Sequence, residues 1–470
     1  MFFLKSRGTE SRAPGYGDVL KLVWPLALGM ANNALMQFTD RVFLAHESAA
    51  SLEAILPSSI LAYLFICFFQ SVVAYAGTFV AQFHGAGDNR GCARSYAAGL
   101  VLSLASAFAL VALIPVGHAV FAWSGHAPAV LARENTYYSI VLLGGVFLCG
   151  TMAAQGYFTG RGLTRTVFVV NLVGNFLNIA LDPLLIFGWG PVPALGMAGA
   201  AIATVFAQAI EFAVLFTLAQ RHVRQLKSKA TPPAEEPFAR LLARILRFGV
   251  PSGLYSTLNM LSFTIFVFVT GKLGDLAFAV SNAAFAVNYL LIAPIEGFSV
   301  GASTLVGQFQ GRGDSDGARR AGRRTLVLAE IYLVVASALI LCFYEPILGL
   351  FAADTAALDR AAFISLGFTL FLLMSAWQCF DGADVVLSGA LKGAGDTRFV
   401  LVWMLVSAFA FWLPLVFVVY RYWPTMPALW STMIAYVVVI CLGTAIRWCR
   451  GSWRHFQLVG KTRRRDSERE

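Results

Sequence analysis

Apolar stretches long enough to cross a bilayer recur from one end of this 470-residue chain to the other, and no other feature limits its fold as severely. A helix needs roughly 20 apolar residues to span the hydrocarbon core of a membrane. Inside that core every backbone N–H and C=O must be satisfied within the protein, which leaves helices and closed barrels as the spanning structures. Gly, Pro and charge divide the chain into twelve apolar segments, at 17–46, 51–83, 91–124, 128–160, 165–188, 194–225, 239–274, 276–309, 316–352, 355–391, 396–422 and 424–450. Each is too long for a strand, so the expected fold is an all-α membrane protein with twelve transmembrane helices. Several exceed the length a bilayer requires, so those helices are expected to tilt or project into water. The connections are short, and the longest polar stretch, 227–237, has no room for a soluble domain.

Charge supports this reading. Only 13% of residues are charged, against roughly a quarter in soluble globular proteins; a disordered chain is excluded and a soluble multidomain enzyme is disfavoured. The net charge of +10 is not a nucleic-acid signature, because the basic residues sit between apolar spans and form no continuous patch. Of the 35 Lys and Arg, 30 fall in the N-terminus, the loops after even-numbered spans and the C-terminus. Arg41, Arg133, Lys272, Arg360 and Arg421 fall on the other side. The Lys/Arg bias of cytoplasmic loops then places both termini in the cytoplasm. Lys461–Arg465 reads as an inside anchor near anionic lipid, and Met1–Asp18 lacks the apolar core of a signal peptide. Cys67, Cys149, Cys342 and Cys441 lie in apolar runs without CxxC spacing and read as small core hydrophobes.

The chain also repeats itself. A shift of 226 residues lays Thr78–Arg94 over Thr304–Arg320 with nine of seventeen positions identical, and pairs Pro25 with Pro251. Gly160–Arg165 matches Gly393–Arg398 at a shift of 233. Six spans per copy give two halves of the same orientation, related by an axis along the membrane normal, with substrate expected between them. The expected organisation is an N-lobe over 1–226, a cytoplasmic linker over 227–238, a C-lobe over 239–451 and a basic tail over 452–470. Two pseudo-symmetric six-helix bundles of this kind favour a transporter that rocks one bundle against the other.

Acids at membrane depth are costly and mark function. The first half offers Asp40 in span one and Asp182 in span five, with Asn178 one turn before Asp182 on the same face and Thr204 in span six. Two carboxylates in one low-dielectric pocket cannot both ionise cheaply, which suits one of them to carry a proton; the same oxygens suit Na⁺. The second half carries Asp381 and Asp384 on one helix face, with Glu296 in span eight and Asn259 in span seven. A lipophilic cation would meet carboxylates there, with Trp377 and Phe380 close enough to offer π faces. His46 and Glu47 fall at the outer end of span one and are expected to be solvated.

These residues resemble the multidrug and toxic compound extrusion (MATE) family of antiporters over essentially the whole chain. The signatures are Gln37–Asp40, Asn178–Phe187 followed by Leu195–Thr204, Val306–Gln308, and Asp381–Arg398 with its Leu391-Lys-Gly-Ala-Gly-Asp-Thr-Arg398. The resemblance implies export of cationic or amphipathic compounds against inward H⁺ or Na⁺, with no cofactor, from a plasma (bacterial inner) membrane, by a monomer surrounded by lipid. It assigns ion coupling to Asp40, Asn178, Asp182 and Thr204, with Na⁺, if used, at Asp40 and Asp182. A glutamate of some branches is Asn259 here, and Asp384 replaces a frequent Gln. A carboxylate pair needs no full coordination shell, which favours H⁺ over Na⁺.

A lipid-linked oligosaccharide flippase of the same superfamily is the nearest rival. It should line its cavity with Lys and Arg to meet a diphosphate, whereas nearly every basic residue here is assigned to a helix end. An intramembrane aspartyl protease is suggested by GxGD strings ending at Asp88, Asp314 and Asp396. All three lie in basic turns and are better read as helix-capping aspartates.

Overall fold

The computed structural model describes residues 14–47, 49–227, 236–351, 360–456 and 458–459. Twelve helices are long and apolar enough to cross a membrane. In the first half these are α1 (Tyr16–Leu44), α2 (Glu53–Gly85), α3 (Asn89–Ser124), α4 (Pro128–Gly160), α5 (Thr164–Ile186) and α6 (Met197–Leu226). The second half holds α7 (Phe238–Leu273), α8 (Asp275–Gly311), α9 (Ser315–Cys342), α10 (Arg360–Ala394), α11 (Thr397–Tyr422) and α12 (Met426–Arg450). No strand occurs among the described residues. Large apolar side chains such as Phe108 (72% exposed) and Phe268 (71%) point outward, an arrangement suited to lipid and not to water. The protein is a multi-pass integral membrane protein.

Breaks in the helices have local causes. α3 is interrupted at Leu113 because Pro115 cannot donate to the preceding turn. α11 widens to a π-helical segment at Val406–Trp412, just before Pro414, where the same missing N–H forces the backbone to re-pair. Segment nine of the sequence reading extends past α9 into a separate short helix, Tyr344–Phe351. Of the four cysteines expected in the core, Cys342 is exposed, because it ends α9.

The helices form two six-helix lobes related by the repeat. In the first, α4 packs on α2, α3 and α6, while α5 joins α1 to α6. In the second, α10 packs on α8, α9 and α12, while α11 joins α7 to α12. The lobes meet through α1 on α8 and α2 on α7, a pair of contacts that the repeat exchanges. Val19, Leu22, Val23 and Leu26 of α1 share a core with α8 and α10. Reciprocally, Leu241 and Ile245 of α7 belong to the N-lobe core. Pro25 and Pro251 therefore sit where each lobe's first helix crosses from its neighbour to its own bundle.

At the end of the molecule bearing the basic loops, the C-terminal ends of α2 and α8 cross backbone to backbone. A Cβ added at Gly85 would lie 1.9 Å from the carbonyl oxygen of Gln308, and one at Gly311 would lie 1.9 Å from that of Gln82. Gln82 donates to the Gly393 carbonyl at 3.1 Å, and its repeat equivalent Gln308 donates to the Gly160 carbonyl at 2.8 Å. The segment after α12 adds a third fastening. Trp453 stacks on Trp448 at 4.4 Å, and Leu458, 1% exposed in the N-lobe core, donates its N–H to Gln82 Oε1 at 3.1 Å. The region expected to be a solvated basic tail thus begins as a packed strap, because Trp453 and Leu458 are apolar; Lys461–Arg465 lie outside the described residues.

Gly311→Val should force the crossing apart and cost about 1–3 kcal/mol of stability, as overpacking does. Thermal unfolding in detergent should show a lowered midpoint, with Gly17→Ala, where an added Cβ meets nothing within 4 Å, unchanged. Equal midpoints for both variants would show that the crossing is not a tight contact.

Candidate functional site

Between the lobes, one turn in from the crossing, lies a cavity of about 260 Å³. Its wall is made by α1, α2, α4 and α5 on one side and α7, α8 and α10 on the other. The lining is mostly small, hydroxyl-bearing and apolar: Met30, Thr78, Gln155, Phe168, Ser256 and Ser303 are representative. Only two charged residues, Glu296 of α8 and Lys392 of α10, are among the described lining residues.

The first-half candidates come together, but outside this cavity. Gly29 and Asn171 line the cavity; Asp40 and Asp182 each lie eleven residues further along α1 and α5. At 1.5 Å rise per residue that is about 16 Å, away from the basic loops. Asp182 and Asn178 are fully buried. A carboxylate only accepts, so the Asn178 amide must turn its nitrogen towards Asp40. In that orientation Nδ2 donates to Asp40 Oδ1 at 3.1 Å and Oδ1 accepts from the Thr204 N–H at 3.2 Å. Thr204 Oγ1 lies 3.4 Å from that same amide oxygen and donates to the Ala200 carbonyl at 3.0 Å. The group facing the Asp182 carboxyl is the carboxyl of Asp40. No N–H or O–H among the described residues is donated to either Asp182 oxygen. Two carboxyl groups side by side in a buried pocket repel when both are ionised.

The sequence hints at how this pocket joins the cavity. Asn171, Asn175, Asn178 and Asp182 recur along one face of α5. Asn171 accepts from Gln155 Nε2 at 2.8 Å, and Asn175 is buried with its amide nitrogen unpartnered among the described residues. The face is polar from the central cavity to the acid pair.

The second-half candidates line the interior of the other lobe. Asp384 is buried and accepts from Thr444 Oγ1 at 2.8 Å and Ser388 Oγ at 3.5 Å. Asp381 lies within electrostatic reach of Asp384 and Glu296. Asn259 accepts from the Tyr436 hydroxyl at 3.3 Å. Of the four, only Glu296 reaches the central cavity. The expected π faces are elsewhere: Trp377 is buried against Trp430 at 5.0 Å, and Phe380 points outward. Tyr255 and Tyr436 take their place beside the acids.

Three other expectations change. Lys392, assigned to a cytoplasmic loop by its place in a Gly-rich helix end, lines the cavity, because α10 runs on to Ala394. Glu47 is not simply solvated; Arg133 at the start of α4 pairs with it at 3.2 Å. Asp88 and Asp314 cap α3 and α9 through Gly91 N at 2.8 Å and Gly317 N at 2.7 Å. The third aspartate, Asp396, instead pairs with Arg447 at 2.7 Å. All three carboxylates thus have structural partners.

Twelve helices in two lobes related by a repeat, with a cavity between them, are the architecture of a membrane transporter. The MatE family model matches residues 25–184 and 251–418, once per repeat, and the chain belongs to that family. Among curated relatives, the probable multidrug resistance protein NorM of Thermotoga maritima is 25% identical over 95% of both chains. That of Deinococcus radiodurans is 29% identical, covering 84% of this chain and 85% of its own. Among solved structures, a eukaryotic MATE transporter superposes with a TM-score of 0.82 at 18% identity, covering 93% of this chain and 96% of its own. A transporter from Pyrococcus furiosus, described as having a binding pocket of reverse polarity, gives 0.78 at 18% identity and covers 95% and 98%.

Thr444→Val removes an O–H from a buried carboxylate and should cost about 1–3 kcal/mol. Thermal unfolding should show part of that loss recovered when Asp384→Asn is added. Additive losses in the two single variants would mean that the contact contributes nothing.

Proposed function

We propose that the protein is a multidrug efflux antiporter that exports organic cations and amphipathic compounds in exchange for inward H⁺. The observation that carries this reading is the Asp40–Asp182 pair, closed by Asn178, with no donor to the Asp182 oxygens among the described residues. A proton shared between the carboxylates neutralises the pocket; its departure leaves two like charges in low dielectric, an unfavourable state that a new proton relieves. Loading and unloading thereby change the packing of α1 against α5, and α1 carries the change across Pro25 into the opposite lobe. Na⁺ is the alternative coupling ion, with Asp40, Asp182, Asn178 Oδ1 and Thr204 Oγ1 as the oxygens that would hold it.

Cargo enters the central cavity between the lobes, where Glu296 meets its positive charge, and Asp381, Asp384 and Asn259 shape the field of the second lobe. Both termini face the cytoplasm in this scheme, so the crossing of α2 and α8 closes the cytoplasmic side, and separation of the lobes there admits cargo. The names of the curated relatives, multidrug resistance proteins, support drug export. The flippase alternative calls for several basic groups on the cavity wall, and Lys392 is the one cation among its described residues.

In proteoliposomes, uptake of a fluorescent cationic dye should follow an imposed proton gradient, with a Na⁺ gradient alone driving little. Asp40→Asn should reduce driven uptake to background while the protein remains folded by size-exclusion chromatography and thermal unfolding. Asp381→Asn should change apparent dye affinity more than the response to the gradient. Full proton-driven transport by Asp40→Asn would remove the proposed coupling site.

A further inference from the structure

The described lining of the central cavity carries one charge of each sign, and both belong to the second lobe. Glu296 opens onto the cavity, and no donor among the described residues occupies its carboxylate. Lys392 Nζ rests 3.7 Å from the centre of the Tyr255 ring. Glu296 and Asp384 lie within its electrostatic reach, yet no carboxylate stands at ion-pair distance among the described residues. A cation over a ring face retains N–H donors for a further partner.

The repeat shows that neither charge is demanded by the architecture. Lys392 corresponds to Thr159 at the shift of 233, and Thr159 lines the same cavity from the first lobe. Glu296 corresponds to Gln70 at the shift of 226. The first lobe builds the same helix end and the same close packing with neutral side chains at both positions. A lysine on a cavity wall also pays for desolvation that a threonine avoids. The helix end therefore does not require Lys392, while a ligand with an acidic group would.

We infer that the central cavity selects zwitterionic amphiphiles, with Lys392 receiving a carboxylate or other oxyanion of the cargo and Glu296 its cationic nitrogen. Serine and threonine side chains supply neutral hydrogen bonds between these poles, and Met30 and Phe168 meet the apolar body. This inference rests on the export reading and narrows its cargo. A simple cation satisfies Glu296 but meets Lys392 with like charge; a zwitterion satisfies both.

The test uses a rhodamine with a free carboxylate, a zwitterion at neutral pH, and its methyl ester, a cation with the same ring system. Binding to the purified full-length protein is read by fluorescence anisotropy. The wild type should bind the zwitterion about tenfold more tightly than the ester, the scale of one charge-assisted hydrogen bond. Lys392→Met should bring the two affinities together, and Lys392→Arg should keep them apart. Glu296→Gln should weaken both dyes. The inference is overturned if the wild type binds neither dye or shows no preference. It fails equally if the preference survives Lys392→Met, or if that variant weakens both dyes alike. Proton-driven uptake of the ester is measured in parallel; its absence would refute the export reading and leave the binding preference to be judged on the anisotropy alone.

Discussion

The arrangement depends on how closely two backbones approach where α2 and α8 cross. Gly85 and Gly311 leave no room for even a methyl group, each facing the carbonyl of the other repeat's glutamine. That approach lets Gln82 and Gln308 reach across the seam to the ends of α10 and α4. In a membrane the lobes gain little from burying apolar surface against each other, since lipid is equally apolar. Close packing of small residues and interhelical hydrogen bonds must hold them instead. Apolar side chains of α1 and α7, each set into the opposite lobe's core, add to this contact. The strap ending at Leu458 adds apolar burial beside the crossing.

From that crossing the rest of the geometry follows. The lobes diverge beyond it and enclose the central cavity, and the first helix of each lobe must straddle the seam to reach its own bundle. Pro25 and Pro251 stand at those passages. The acid pair Asp40–Asp182 lies about 16 Å beyond the cavity, linked to it by the polar face of α5. The helix α1 belongs to both environments: its start packs on α8 and its far end holds Asp40.

The two halves share a fold but have divided the chemistry. The first lobe keeps its acids in a closed pocket away from the cavity. The second places Glu296 and Lys392 on the cavity wall, where the first has neutral residues. Pseudo-symmetry preserves the scaffold because backbone packing at Gly85, Gly311, Gly160 and Gly393 tolerates little change. Side chains that face only the cavity are free to diverge.

Much of this was legible in the chain. Twelve spans, two repeated halves and a first-lobe acid cluster follow from hydrophobic length, an offset of 226 residues, and the cost of burying a carboxylate. The helical period alone put Asn178 and Asp182 on one face. The structure departs from expectation at residues whose neighbours are remote in sequence. Lys392 looked like a loop cation because a Gly-rich turn follows it, and only the opposing lobe makes its position a cavity wall. Trp377 seemed a ligand-facing ring until Trp430, brought from α12, covered it. Leu458 looked like tail because its packing partners lie in α2. The sequence by itself determined the solvent, the number of helices and their duplication, since these depend on local pattern and chain length. Tertiary structure decided which polar groups meet, because a helix fixes the face a side chain occupies but only packing chooses what that face confronts.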